Sequence, residues 1–328
     1  MIRTTTIYYE KRDMKLHSNV CSSRSKLKGV LWDNEFVDEI QRISSHGDNI
    51  NIIGFPTRHA GFSFFWGHPD ISKIAPGYVA ECGFWKNAWH LDAKGLWCNS
   101  QLNDANEAIK NYIPPTKNIL NLVKDNKKYS PRTWDCVNHY DKWKYVVLIT
   151  QLSRDMSVGI VGGKEPYYEF IRKAAKYYGD RLLLKAHPEH SATDREETIE
   201  IIKGTGAKYG TMDNVDGCEF VLLYNSTISG ELFVKGIPIV QYAKGYFHNL
   251  EAIHFTDGSV IAPKLRNTKA IGRKTAEFLL WKYCIRPFSG ASDVENFTDM
   301  LLDFANSKEE FPLNEKYSYA NYLKQKLN

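Results

Sequence analysis

Residues 182–188 read Leu-Leu-Leu-Lys-Ala-His-Pro, an apolar run that ends in a polar turn. Such a run is typical of a parallel strand that is buried on both faces of a sheet. Pro188 stiffens the turn and keeps the preceding His187 out of a helix. Ligands of open α/β sheets collect where parallel strands end. Lys185 and His187 are therefore predicted to lie at a ligand-binding edge.

A second junction of the same kind follows. Residues 220–224 read Phe-Val-Leu-Leu-Tyr and end in Asn225-Ser226-Thr227, which are good N-cap residues for a helix that carries Glu231. Gly236 is predicted to end this helix, ahead of a strand at residues 237–240. Because a helix N-terminus attracts anions, the two junctions together predict a phosphate site.

The order of predicted elements sets the fold class. Strands alternate with helices from residue 144 onwards, which predicts an α/β protein with a parallel, doubly wound sheet. Two further helices are expected near the C-terminus, and two strands in the first half. The predicted strands are 51–55, 77–80, 144–150, 181–186, 220–224 and 237–240, and the predicted helices are 165–178, 194–203, 226–235, 268–283 and 294–305.

Length and composition limit the classes of protein. A chain of 328 residues is expected to form two domains, and residues 113–140, rich in Pro, Lys and Asn, are the candidate linker. The net charge of +5 is spread along the chain, so nucleic acid is not an expected partner, whereas an anionic substrate or a membrane surface is compatible with it. Without a signal core or an apolar run of ~20 residues, the protein is expected to be soluble and cytoplasmic.

Metal and disulfide chemistry are not expected. The six cysteines form no C-x-x-C pair and are interpreted as free thiols, the histidines show no metal-ligand spacing, and no Asp-x-Asp pair occurs. The aromatic residues between 62 and 97 are interpreted mainly as core, although loop aromatics also serve as sugar platforms. They are Phe62, Phe64, Phe65, Trp66, Phe84, Trp85, Trp89 and Trp97.

Two carboxylates are candidate catalytic groups. Asp155 follows the strand at 144–150, and the other interpretation is a local turn cap with Ser157. Glu81 follows the strand at 77–80 and is expected in a loop, where an ordinary surface carboxylate is the alternative. A carboxylate from each domain, with a phosphate site between them, suits glycosyl transfer: one group acts as nucleophile and the other as acid/base.

These motifs resemble the bacterial capsule and lipopolysaccharide β-Kdo transferases over residues 62–248. The likeness is carried by the two junctions above and by further residues, namely Glu81-Cys82-Gly83-Phe84-Trp85, Leu91-Asp92-Ala93-Lys94-Gly95-Leu96, Asn99-Ser100-Gln101-Leu102, Gln151 and Asp155-Met156-Ser157. The resemblance implies a GT-B-like fold, two Rossmann-like doubly wound domains with a cleft between them. Residues 1–140 would form the acceptor side, and residues 141–328, with the C-terminal helices, would bind the CMP-sugar.

The resemblance also implies a reaction and a set of roles. CMP-β-Kdo would be the donor of a retaining transfer to a glycan or glycolipid, with Asp155 as nucleophile and Glu81 as acid/base. Arg154 offers a partner for the Kdo carboxylate. The other residues on the donor side would be Gln151, Lys185, His187, Pro188, Asn225, Ser226, Thr227 and Glu231. Neither a metal nor another cofactor is implied, and peripheral association with the inner membrane or with other polysaccharide enzymes is compatible with it.

Two other classes remain open at this point. A GT-B nucleotide-sugar epimerase would share the phosphate-binding helix start but need no separate acceptor groove. A non-catalytic glycan-binding relative would need only the aromatic region between residues 62 and 97.

Overall fold

The computed structural model describes residues 5–8, 50–53, 62–66, 77–116, 118–124, 145–211, 215–256, 268–288 and 309–327, with 293, 296–297, 299–300, 303–304 and 307. The chain divides into two compact units. The first comprises Met1–Gln101, Tyr112–Lys128 and Glu277–Asn328, and the second comprises Leu102–Asn111 and Tyr129–Ala276.

The second unit contains a parallel sheet of six strands. The strands are β6 Val146–Ile149, β7 Leu182–Lys185, β8 Lys208–Gly210, β9 Val221–Leu223, β10 Ile239–Gln241 and β11 His254–Phe255, in the order β11-β10-β9-β6-β7-β8. The strand order reverses between β6 and its neighbour β9, which pair in parallel. This is the order of a doubly wound, nucleotide-binding sheet.

Both faces of this sheet are buried. Val146 and Leu148 face a cluster that includes Phe170 and Ile171 of a long helix, while Val147, between them, is also fully buried. Alternating side chains point to opposite faces, so continuous burial requires cover on each side. The uninterrupted apolar runs seen in the sequence have this origin.

Helices connect the strands of the second unit. The longest, α4 (Lys164–Tyr178), is followed by Gly179, whose positive φ of 55° favours glycine. Ser191 and Asp194 form a reciprocal capping box at the start of α5. The helices are α1 Asn106–Asn111, α3 Met156–Gly159, α4 Lys164–Tyr178, α5 Ala192–Ile202, α6 Ser229–Lys235 and α7 Lys269–Phe278, with a 3-10 turn at Gly179–Arg181. The last two residues of α7 belong to the first unit.

The first unit contains a mixed sheet in the order β12-β5-β4-β3-β1-β2. The four strands β1 to β4 are parallel, and β5 runs antiparallel to both β4 and β12. The strands are β1 Thr5–Tyr8, β2 Ile50–Ile53, β3 Phe62–Trp66, β4 Gly77–Cys82, β5 Trp89–Asp92 and β12 Cys284–Ile285. The helices are α2 Leu120–Val123 and α8 Tyr319–Leu327, with a π-helix at Leu279–Tyr283 and 3-10 turns at Trp97–Asn99 and at Glu315–Tyr317, just before α8. A further 3-10 turn, Gln101–Asp104, begins in this unit and continues into the second.

The structure corrects several expectations. Glu81 lies within β4 and not in a loop after it, because β4 continues to Cys82 by pairing with β5. The helix expected to start at residue 226 begins at Ser229. The segment Glu277–Asn328 groups with the first unit, because β12 pairs with β5, whereas the predicted boundary at residue 140 kept the C-terminal helices with the second half.

Other expectations agree with the structure, or concern residues that it does not describe. The strands predicted around residues 146, 182, 221 and 239 are present within two residues of their expected ends. Four of the predicted core aromatics, Phe84, Trp85, Trp89 and Trp97, are buried. Most of the helix expected at 294–305, most of the linker at 113–140, and the side chains of residues 62–66 lie outside the described residues. Within the described part of the chain, no helix is long and apolar enough to cross a membrane.

Candidate functional site

The candidate donor site of the second unit lies at the carboxyl ends of β6 and β9. Gln151 follows β6 by two residues, and Asn225 follows β9 by two residues. Since β6 and β9 pair in parallel where the strand order reverses, their following loops start side by side. Open α/β sheets bind ligands at such a switch point.

Gln151 and Asn225 join these two loops by reciprocal hydrogen bonds. Gln151 Nε2 donates to Asn225 Oδ1 at 2.9 Å, and the backbone N–H of Asn225 donates to Gln151 Oε1 at 3.0 Å. Both side chains are buried, with Asn225 only 2% exposed. These amides are therefore occupied by each other, and they shape the site by fixing its loops.

Ser157 connects this pair to the candidate nucleophile. Its backbone carbonyl accepts from Asn225 Nδ2 at 2.7 Å, and its hydroxyl lies 3.4 Å from Gln151 Nε2. The backbone N–H of Ser157 donates to Asp155 Oδ1 at 2.8 Å, so Asp155 is the N-cap of α3. Asp155 is exposed, and no other described residue donates to its carboxylate. The turn cap with Ser157 that the sequence allowed is present, and it leaves one oxygen available.

His187 lies on the neighbouring strand end. Thr150 ties the two loops together: its backbone N–H and its hydroxyl donate to the Lys185 carbonyl, and its hydroxyl accepts from the His187 N–H at 3.0 Å. His187 Nδ1 accepts from the backbone N–H of Glu189 at 3.1 Å. In the neutral ring the proton is then on Nε2, which makes that nitrogen a donor.

His190 fixes the loop that carries Gln151. Its Nε2 donates to the Gln151 carbonyl at 2.9 Å, and its Nδ1 accepts from the Tyr209 hydroxyl at 2.7 Å. The Gln151 N–H donates to the Tyr167 hydroxyl at 2.8 Å. Burial lowers the pKa of His190, so the neutral ring is the form that fits this arrangement.

Ser226 and Thr227 form a turn ahead of α6. Ser226 Oγ accepts from the Ile228 N–H, and the Ser226 carbonyl accepts from the Ser229 hydroxyl at 2.9 Å. Within the described chain, no acceptor lies against the backbone N–H groups of Ser226 and Thr227. Glu231 is half-buried in the first turn of α6. The helix start thus offers backbone donors in place of the predicted side-chain cap.

The loop after β10 also contacts Asn225. Asn225 Nδ2 donates to the Lys244 carbonyl at 3.2 Å, and a Cβ added to Gly245 would lie 2.9 Å from Asn225 Cβ. The Gly245 carbonyl accepts from Asn103 Nδ2 at 3.1 Å and from His248 Nδ1 at 2.7 Å. A glycine is required here because the loop passes so close to Asn225.

Glu81 belongs to the first unit, where it is half-buried on β4. It pairs across the sheet with His90, and Glu81 Oε2 lies 4.0 Å from His90 Nε2. Asp92, on the same strand as His90, is fully buried and accepts from the Lys94 and Gly95 N–H groups and from the Tyr283 hydroxyl. Burial raises the pKa of Asp92, and these hydrogen bonds oppose that rise.

The predicted donor residues form a cluster within the second unit. The loops carrying Gln151 and Asp155 are bonded to the loop carrying Asn225, and the loop of Lys185 and His187 adjoins them through Thr150. Arg154 is exposed beside Asp155, and Pro188 is half-buried beside His187. The sequence identified Ser157 only as a cap partner of Asp155 and did not identify the other supporting residues, Thr150, Tyr167, His190, Tyr209 and Gly245; the position of Thr150 at the end of a predicted strand was the one available signal.

The geometry also bears on two other kinds of site, an aromatic platform for a sugar and a metal site. Phe84, Trp85, Trp89 and Trp97 are buried, so these four rings are not surface platforms for a sugar. Within the described residues, no group of three or more His, Cys, Asp or Glu side chains could hold a metal ion.

Two α/β units, one of them with a doubly wound parallel sheet, are the elements of a GT-B-like fold. The predicted fold class is confirmed. The particular sugar and mechanism are not decided by the fold.

Several solved structures resemble this chain in fold. KpsC from Thermosulfurimonas dismutans, described as a beta Kdo 2,7 transferase, matches with a TM-score of 0.50 and 13% identity over 86% of this chain and 92% of that one. A second, described as a beta Kdo 2,4 transferase from the same organism, matches with a TM-score of 0.51 and 12% identity over 83% and 90%. The S. aureus MnaA-UDP co-structure matches with a TM-score of only 0.30, on which no argument is based. No protein family and no curated protein sequence matches the chain. At these identities the likeness shows the fold alone.

Proposed function

We propose that this protein is a retaining glycosyltransferase that moves Kdo from CMP-β-Kdo to a glycan or glycolipid acceptor in surface polysaccharide synthesis. The observation that carries the proposal is the exposed carboxylate of Asp155, fixed at the switch point through Ser157 to Gln151 and Asn225. A nucleophile needs a fixed position and an oxygen that is not already bonded. Asp155 has both.

The donor phosphate has several candidate partners around this carboxylate. The backbone N–H groups of Ser226 and Thr227 and the Nε2–H of His187 are donors of the kind that phosphate oxygens accept. Lys185 adds a positive charge at the end of β7. Arg154, exposed beside Asp155, suits the carboxylate of an ulosonic acid such as Kdo, and Glu231 is proposed to contact the nucleotide.

The proposed reaction has two displacements. In the first, an Asp155 oxygen attacks the anomeric carbon, and the bond to the CMP phosphate breaks with its electron pair leaving on CMP. In the second, the acceptor hydroxyl attacks the same carbon, its proton passes to the Glu81 carboxylate, and the ester electron pair returns to Asp155. Two inversions give net retention.

Charge on the leaving phosphate is proposed to be neutralised by Lys185 and His187, so the reaction needs no divalent metal. Activity is then expected to survive EDTA. Loss of activity on chelation, with recovery on adding magnesium or manganese, would contradict this part of the proposal. Association with a membrane surface or with other polysaccharide enzymes belongs to the proposal and is compatible with the net charge of +5.

The test is a mass-spectrometric assay with CMP-Kdo and a panel of short glycans. A product heavier than its acceptor by one Kdo residue is expected, formed together with CMP. Release of CMP with no change in any acceptor would indicate hydrolysis instead of transfer. No consumption of CMP-Kdo, with turnover of another nucleotide sugar, would replace the donor assignment.

A further inference from the structure

His90 occupies a position with two cross-strand neighbours. In the antiparallel register, His90 lies opposite Glu81 on β4 and opposite Cys284 on β12. Residues paired in this way point to the same face of the sheet. The His90 side chain is fully buried and the Glu81 side chain is 27% exposed, with Glu81 Oε2 at 4.0 Å from His90 Nε2. A buried imidazole therefore lies next to the Glu81 carboxylate, which is partly exposed to solvent.

The imidazole plane is held by two stacked rings. Phe84 lies 5.3 Å from it at an interplanar angle of 11°, and Tyr283 lies 5.4 Å away at 15°. Tyr283 is itself fixed, because its hydroxyl donates to Asp92 Oδ2 at 2.8 Å. Tilting the imidazole out of this plane would disrupt both stacks, so the ring stays in the plane in which Nε2 lies 4.0 Å from Glu81 Oε2.

The charges around the ring favour a proton on that nitrogen. The described titratable groups that face His90, or that bond to the rings stacked on it, are Glu81, Asp92, Tyr283 and Cys284, and none of these is basic. A bare Nε2 lone pair toward a carboxylate would be repelled, whereas an Nε2–H is attracted.

Resting on the acid/base role proposed above for Glu81, we propose that His90 is a positioning residue that aims the Glu81 carboxylate and holds it ionised. An ionised Glu81 can take the proton of the acceptor hydroxyl while the hydroxyl oxygen bonds to the anomeric carbon and the glycosyl ester to Asp155 breaks. The proton then leaves Glu81 for water, which restores the enzyme. His90 itself touches no substrate.

The test follows the titration of Glu81 without any sugar substrate. The carboxyl carbons of glutamate are labelled with carbon-13, and the Glu81 signal is assigned by its loss in Glu81→Gln. In His90→Phe, which keeps a ring between Phe84 and Tyr283, the Glu81 titration midpoint is expected to rise by about one pH unit. His90→Gln, which restores an N–H donor, should recover part of this shift.

Tyr283→Phe is the matched control. It removes the hydroxyl bonded to Asp92 but keeps the ring on His90 and the imidazole itself, so it should lower the melting temperature and move the Glu81 midpoint much less than His90→Phe does. Equal midpoints in the wild type and His90→Phe would overturn the proposal. If His90→Phe does not fold, His90→Asn takes its place, because the asparagine amide is too short to reach Glu81. A Glu81 midpoint in His90→Asn equal to that of the wild type would then overturn the proposal.

Turnover gives a second, separate readout. The pH dependence of kcat should move with the Glu81 midpoint in His90→Phe, and His90→Phe should cause no further loss in a Glu81→Gln background. If no variant transfers any sugar while the Glu81 midpoint still shifts, the proposed function fails and the pairing of His90 with Glu81 stands. A shifted midpoint with an unchanged pH profile of kcat would overturn the role of His90 in the reaction.

Discussion

Asp155 and Asp92 show how surroundings decide what a carboxylate does. Asp92 is fully buried and accepts hydrogen bonds from Lys94, Gly95, Ser100, Gln101 and Tyr283. Its carboxylate oxygens are therefore occupied by hydrogen bonds within the protein. Among the residues that the structure describes, Ser157 is the one donor to the Asp155 carboxylate, and Asp155 is exposed. The sequence singled out Asp155 as a candidate nucleophile and named Asp92 only within a motif, but neither the burial of a carboxylate nor the number of its donors can be read from a motif.

Asp155→Asn should abolish turnover and leave the fold intact. Asparagine is also a good N-cap, so its amide oxygen can still accept from the Ser157 N–H, whereas an amide does not readily form a glycosyl ester. We expect kcat to fall by a factor on the order of 10³ or more, with CMP binding retained. Asp155→Ala is the contrasting variant, since it also removes the cap, at a cost of about 1 kcal/mol of stability.

The location of the nucleophile can be checked with Glu81→Gln and CMP-Kdo. If Glu81 serves only the second displacement, a protein adduct of one Kdo mass should accumulate, and peptide mapping should place it on Asp155. Normal turnover by Asp155→Asn, or an adduct on another carboxylate, would contradict the assignment.

His190 should make stability depend on pH. Burial lowers its pKa in the folded protein, so the unfolded chain binds more protons below the ordinary histidine pKa of about 6.5. Its contribution is therefore complete above that pH and is lost as the pH falls from about 6.5 toward the folded-state pKa, at a slope of up to about 1.4 kcal/mol per pH unit.

His190→Gln is the variant that isolates this effect. The dependence of unfolding free energy on pH, measured by urea denaturation between pH 5 and 7.5, should be shallower than in the wild type. Burial also lowers the pKa of His248, but that group is common to both proteins and cancels in the comparison. Parallel curves for the two proteins would show that His190 does not titrate in this range.

Strands and helices were predictable to the extent that each is specified locally. The runs around β6, β7, β9 and β10 are apolar throughout, so their existence followed from burial on both faces. β8 reads Lys-Tyr-Gly and begins with an exposed residue, and β11 has only two residues, so neither shows an apolar run. The start of α6 was placed too early because Ser226 bonds within a turn instead of capping the helix. The Gln151 to Asn225 pairing joins residues far apart in sequence, which no local pattern reveals.

Gly245→Ala should disturb the loop that follows β10. The added methyl group would lie 2.9 Å from Asn225 Cβ and 3.1 Å from Gln241 Nε2, so the loop or Asn225 must move. We expect a loss of about 1–3 kcal/mol in unfolding free energy and weaker CMP binding. Gly159→Ala, at the end of α3, is the matched control: nothing lies within 4 Å of the added methyl group, and the change should be neutral or stabilise by up to about 1 kcal/mol.

At the scale of the whole molecule, each of the two units is assembled from segments that are not consecutive in the sequence. The second unit includes Leu102–Asn111, which is held by bonds from Asn106 to the Asn249 carbonyl and from the Glu251 N–H to Asn106. A linear reading of composition predicts one boundary and does not identify segments that return to an earlier unit. The α/β fold class was therefore predictable from the sequence. The grouping of the C-terminal segment with the first unit depends on contacts between residues far apart in the chain, such as the pairing of β12 with β5.

CMP should stabilise the protein against heat. The proposed phosphate partners belong to the second unit, so a nucleotide that binds the native protein shifts unfolding by up to about 2.7 kcal/mol at roughly 100 times its dissociation constant. The melting temperature should rise with CMP and rise less with UMP at equal concentration. Equal shifts with both nucleotides would contradict the cytidine assignment, and Asp155→Asn should keep the CMP response.

The pairing of β12 with β5 has a consequence for biosynthesis. A ribosome releases β5 early and β12 only after every strand of the second unit has been made. Until then β5 is an open edge whose unpaired backbone groups can accept a strand from another nascent chain. Protein made with a stalled or shortened 3′ message is thus expected to aggregate through the open edge of β5, and chaperone dependence should be concentrated in the interval between synthesis of residues 92 and 284.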